Sequence, residues 1–116
     1  MGPRADLNNI AQYFNPVGMP LKTWNAIPIM PQATDGQEFK SDIYSYKASA
    51  TLVQATNYYN SKNASLSWSC VVSSGYAGTG SHADHSNTFV CQGIVIAIIS
   101  FDNDTQHVIV VINKAS

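Results

Sequence analysis

In the run DIYSYKA, Ile43, Ser45 and Lys47 fall on one side and Tyr44, Tyr46 and Ala48 on the other, the two-residue period of a strand. This alternation predicts a short strand over 43–48. Beyond it the period lengthens: Leu52, Ala55, Tyr59 and Leu66, joined by Val53 and Ala64, make the apolar stripe of a helix. Thr51 followed three residues later by Gln54 has the form of a capping box, so a helix is expected to start after Thr51 and to end near residue 66, ahead of Ser67. WSCVVSS and NTFVCQ then read as two strands flanking a long polar tip at 75–87. IVIAIISF and HVIVVIN read as two more, joined by DNDTQ, in which Asp and Asn are turn residues.

The last two strands are apolar on both faces. Ile94, Ile96 and Ile98 face one way and Val95, Ala97, Ile99 and Phe101 the other, whereas a sheet wet on one side would alternate with polar residues. One helix covers one face, so something else must cover the second. The candidates are the proline-rich N-terminal part and a second protein. All five prolines, Pro3, Pro16, Pro20, Pro28 and Pro31, lie in residues 1–41. That part is expected to be an extended, turn-punctuated arm, since proline fixes φ and removes a donor. Its Phe14, Met19, Leu21, Trp24, Ile27, Ile29 and Met30 are too apolar to be left in water. The fold class expected is α+β: one helix packed on an antiparallel sheet of about five strands, in the order β-α-β-β-β-β, with a proline-rich N-terminal arm. Residues 1–22 are assigned to the arm or to a tether-proximal segment, and 23–116 to a single domain.

Composition narrows the class further. A chain of 116 residues suits one domain. Charged residues are only 11% of it, so the polar surface must come largely from Ser, Thr, Asn, Gln and Tyr, a composition that favours export. With a net charge of −1 and its lysines scattered, the chain lacks the basic field that nucleic acid requires. No stretch approaches the ~18 consecutive apolar residues of a membrane span. The opening MGPRADL lacks the apolar centre and cleavage site of a signal peptide, so a leader or anchor of an exported parent would have been removed.

From Trp24 to Asn113 the order of features resembles a class of bacterial envelope domains found in lipoproteins or after a single membrane anchor. In that class an lPlyPgA opening leads to a strand, a helix ending in FY…L..lGW, and a meander of strands. The corresponding stretches are IPIMPQAT at 27–34, IYSY at 43–46 and NYYNSKNASLSW at 57–68, and Tyr59 stands nine residues before Trp68 as in the family pattern. Asn63 replaces a large aliphatic residue and Ser67 a glycine, departures that bear on the last helical turn. The resemblance implies this fold and an extracytoplasmic place, and it transfers no catalytic residue.

Cys70 and Cys91 lie on the two strands about the polar tip. If that hairpin is symmetric they fall opposite each other, near enough for a disulfide in an oxidising compartment; the alternative is two buried thiols. Within the tip, HADH gathers His82, Asp84 and His85, side chains that suit zinc, nickel or copper, although a closed site needs four ligands. The plainer reading is a polar turn, and His107 is likewise read as a turn-facing residue at the start of the final strand. No serine sits in a nucleophile motif, no glycine-rich phosphate loop opens a helix, and the close acid pairs lie in turn-like sequence. No cofactor is expected.

Tyr44, Tyr46, Tyr58, Tyr59 and Tyr76, with Trp24, are candidates for a half-wet binding surface, against the alternative that they fill the seam between helix and strands. The function expected is therefore a non-enzymatic, extracytoplasmic binding or assembly module that engages a protein partner or a copy of itself. The alternatives are a structural subunit of a pilus- or surface-layer-like assembly and a metal-binding protein built on the 82–85 tip.

Overall fold

The computed structural model describes residues 10–77 and 84–115, with side chains at all of these except 10, 11, 76 and 77. After a single 3-10 turn at Ile10–Tyr13 come two very short strands, β1 (Thr23–Trp24) and β2 (Ile27–Pro28), then β3 (Ala33–Lys40), β4 (Ile43–Ala48) and the helix α1 (Leu52–Ser65). Four longer strands complete the chain: β5 (Cys70–Ala77), β6 (Asp84–Cys91), β7 (Ile94–Phe101) and β8 (Asp104–Lys114). β1 and β2 make their own two-stranded sheet. The others form one antiparallel sheet in the order β3-β4-β8-β7-β6-β5.

The α+β class and the antiparallel sheet are as expected, but the count of about five strands is corrected to six plus a separate pair. The additional long strand is β3. Its sequence, ATDGQEFK, carries Asp35, Glu38 and Lys40 and a glycine, which reads as loop; it is an edge strand, wet on its outer side, where a polar sequence is at home. The polar tip is also shorter than 75–87, because β5 runs to Ala77 and β6 begins at Asp84.

α1 begins as its sequence dictates. Thr51 Oγ1 accepts from the Gln54 N–H, and the Gln54 side chain accepts from the Thr51 N–H, which satisfies two of the donors a helix start leaves unpaired. Its buried side is narrower than the expected stripe: Ala55, Tyr59 and Asn63 are buried, whereas Val53 and Leu66 are exposed. The helix lies over β6, β7 and β8. Between them they enclose the main core, in which Tyr44, Tyr46, Phe89, Ile96, Ile98, Val108, Val110 and Ile112 project from the sheet.

The arm divides between the two faces. Trp24, Ile27, Ile29 and Met30 join the main core beside the helix, and Trp24 stacks on Tyr44. Tyr13 and Phe14 lie on the other face, with Phe39 and Phe101, over Ile43, Ala97, Ile99, Ile109 and Val111. The second apolar face thus has its cover from the chain itself. The crossing between faces runs past the β3 edge, where the Gly36 N–H donates to the Gly18 carbonyl and the Val17 N–H to Gln37 Oε1. Tyr44 reaches over Gly36, whose missing side chain leaves room for the hydroxyl that accepts from the Leu21 N–H.

Candidate functional site

Cys70 and Cys91 are joined in a disulfide, with their Cα atoms 4.1 Å apart in directly opposed positions of β5 and β6. The hairpin symmetry read from the sequence is the one that forms. The bond anchors β5, the last strand of the sheet, whose only paired neighbour among the described residues is β6.

Among the described residues His85 and His107 lie in separate contacts, each beside an aspartate. His82 lies outside the described residues. Asp84 and His85 are strand residues rather than turn residues, paired with Ala77 and Tyr76 across the β5–β6 ladder. His85 Nε2 is 2.9 Å from Asp102 Oδ1 at the β7–β8 turn. His107 lies inside β8, which begins three residues earlier at Asp104, and its Nδ1 is 3.0 Å from Asp104, an interaction that holds the Asp104 carboxyl below its ordinary range. His107 and Asp104 border a cleft of about 260 Å³ with Phe14, Asn15, Lys47 and Phe101. That cleft has a base and an orienting acid, but no hydroxyl or thiol among its lining residues to act as nucleophile. Among the described residues no group of three or more His, Cys, Asp or Glu could hold a metal ion.

Of the two readings of the aromatic group, burial in the described residues fits the seam. Trp24, Tyr44, Tyr46 and Tyr59 are buried, Tyr58 is half-buried, and the Tyr76 side chain lies outside the described residues. The physical reason is that the arm's backbone needs partners where it meets the core. The Met30 N–H donates to the Tyr46 hydroxyl, Tyr46 donates to Tyr59 across 2.6 Å, and Tyr59 donates to the Pro28 carbonyl at 2.7 Å. Tyr58 adds a bond to the Ile29 carbonyl. Burial first, and for Tyr59 the neighbouring Tyr46 as well, pushes these phenols up from their ordinary range. The tyrosines are the seam between arm, helix and sheet.

The described surface also carries exposed apolar side chains. Val17, Met19 and Leu21 are 77%, 89% and 46% exposed along the arm. Of these, Leu21 lines a cleft of about 450 Å³ with Pro20, Lys22, Ile29, Met30, Pro31 and Ala33, a lining that holds one charged side chain. A second group, Val71, Val72 and Val90, is exposed where β5 and β6 extend past the cover of the helix and of Tyr13. The apolarity of the arm was a signal in the sequence, but it pointed to burial for all seven large residues; only the structure separates Met19 and Leu21 from Trp24, Ile27, Ile29 and Met30. No helix among the described residues is long and apolar enough to cross a membrane. Comparison of the chain with family models, curated proteins and solved structures returned no match.

Proposed function

We propose that the chain is a non-enzymatic binding or assembly module of a bacterial cell-envelope protein, acting outside the cytoplasm. The observation that carries this reading is the arm: an extended segment whose backbone is bonded to the domain at Gly18, Leu21, Ile29 and Met30 nonetheless presents Val17, Met19 and Leu21 to solvent, with Leu21 lining an apolar cleft. Side chains of that size in water cost roughly 1.5–3 kcal/mol each relative to burial, and a partner surface removes that cost. The disulfide favours an oxidising compartment. The resemblance of IPIMPQAT and NYYNSKNASLSW to envelope-domain motifs points the same way.

The test uses the purified chain as bait in envelope extract, with chemical cross-linking, beside the double variant Met19→Asp with Leu21→Asp. A partner held by the wild type and lost from the variant, with the circular dichroism spectrum unchanged, is the expected result. Equal retention by both would remove the arm from the mechanism. Isolation of the chain from its native host with Cys70 and Cys91 reduced would remove the compartment.

A further inference from the structure

The two edges of the six-stranded sheet are built differently. β3 carries Asp35, Glu38 and Lys40, has two register irregularities against β4, and is overlaid by the arm at Val17 and Gly18. Charges, bulges and covering segments are the devices by which proteins prevent an edge from pairing with another chain. Among the described residues β5 has none of them. CVVSSGYA contains no charged residue and no proline, its register with β6 is unbroken from Cys70 to Ala77, and residues 71–75 are all exposed.

The disulfide fixes which backbone groups of β5 point outward. A Cα separation of 4.1 Å marks Cys70 and Cys91 as a non-hydrogen-bonded pair of the antiparallel ladder. Bonding alternates along a regular ladder, so Val71, Ser73, Gly75 and Ala77 bond to β6. The N–H and C=O groups of Cys70, Val72, Ser74 and Tyr76 are directed to the open edge. Among the described residues no strand pairs there.

We propose that this edge pairs with β5 of a second copy of the chain, antiparallel about a twofold axis at Ser73, joining two six-stranded sheets into one. A twofold axis perpendicular to the sheet keeps each face on its own side, so Val72 of one copy bonds to Ser74 of the other and Ser73 meets Ser73. Val71, 71% exposed, then falls opposite Gly75 of the second copy, which presents no side chain to it. Self-pairing brings identical residues together, and it is barred when those residues carry charge. Here they do not, and a net charge of −1 per chain adds little repulsion. The proposal rests on reading the chain as an assembly module, but uses a surface apart from the arm.

Sedimentation equilibrium of the full chain from micromolar to millimolar concentration tests it, with amide exchange at Val72 and Ser74 measured on the same samples. The expected result is a concentration-dependent dimer in which those two amides gain protection as the dimer forms. Ser73→Lys, an exposed change that sets like charges face to face, is expected to weaken the dimer by about tenfold with the thermal midpoint unchanged. Ser73→Cys is expected to cross-link copies on oxidation and Ser74→Cys not to, because only position 73 meets itself, at about 4.5 Å. A monomer at every concentration overturns the proposal, as does protection of Val72 and Ser74 in the monomer, which would show the edge covered by the chain's own residues. A dimer that survives Ser73→Lys and is lost on Met19→Asp with Leu21→Asp also overturns it, while leaving the module reading in place.

Discussion

Ser67, Asn25 and Ala26 hold φ of 59°, 51° and 66°, a region that L-residues with a β-carbon enter only at a cost. Each has a structural reason. Ser67 closes α1: the Trp68 N–H donates to the Asn63 carbonyl and the Ser67 N–H to that of Ala64, the paired bonds of a Schellman turn. Asn25 and Ala26 are the two central residues of the β1–β2 hairpin, where both must have positive φ. Neither Ala26 nor Ser67 is the residue the geometry favours. Ala26→Gly and Ser67→Gly are each expected to stabilise the fold by about 0.5–1 kcal/mol, a rise of a few degrees in thermal midpoint measured by calorimetry. An unchanged or lower midpoint would show that these turns tolerate their β-carbons. Asn63, next to this turn, is buried with neither side-chain polar atom hydrogen-bonded, so the two departures from the envelope-domain pattern meet at one helix end.

At the scale of the element, β5 depends most on its covalent tie. It lies outside the cover of α1, has one paired neighbour among the described residues, and exposes Val71 and Val72 on opposite faces. Closing the 21-residue separation between Cys70 and Cys91 restricts the unfolded chain by on the order of 3 kcal/mol in the loop-entropy account. Reduction, or Cys70→Ser with Cys91→Ser, is expected to lower the thermal midpoint by about 10 °C. The amides of Val71 and Ser73, bonded to β6, should lose exchange protection before those of β7 and β8. Uniform loss across the sheet would mean that the edge strand is not separately anchored. α1 is set by different means: its start is fixed by Thr51 and Gln54, and its contacts are polar as well as apolar, since Asn87 of β6 donates to Thr56 Oγ1 and accepts from Ser74.

Over the whole molecule the arm is a structural part of the domain. It covers one sheet face with Tyr13 and Phe14, passes the β3 edge, and completes the core on the other face through four tyrosines, Tyr44, Tyr46, Tyr58 and Tyr59, that hold its backbone. Because Tyr46, Tyr58 and Tyr59 are pushed up from the ordinary phenol range of about 10, the folded state favours their protonated forms. Their contribution is fully present below that pH and is lost as pH rises above it, where the unfolded chain ionises first. Denaturant midpoints are therefore expected to be level through neutral pH and to fall above about pH 10. Tyr59→Phe should lower stability at neutral pH by about 1–3 kcal/mol, because it leaves the Pro28 carbonyl without its donor. A midpoint that stayed level into strong alkali would argue that the phenols are not held neutral in the seam.

Local pattern by itself determined β4, the start of α1 and the four long C-terminal strands, and it made Cys70 with Cys91 a candidate pair that the β5–β6 register then joined, because period and capping chemistry act between near neighbours. It also required a cover for the second sheet face, since Ala97, Ile109 and Val111 have no polar neighbours to alternate with. Three things were left to the tertiary structure. β3 is a strand because β4 offers it an edge, despite a polar sequence, and β1–β2 turns through Asn-Ala where Asn-Gly would have announced a hairpin. The third is the division of apolar residues into core and surface: Tyr44, Tyr46 and Tyr59 went inside and Met19, Leu21 and Val71 stayed out, because burial depends on which residues distant in sequence come to lie opposite, which periodicity does not encode.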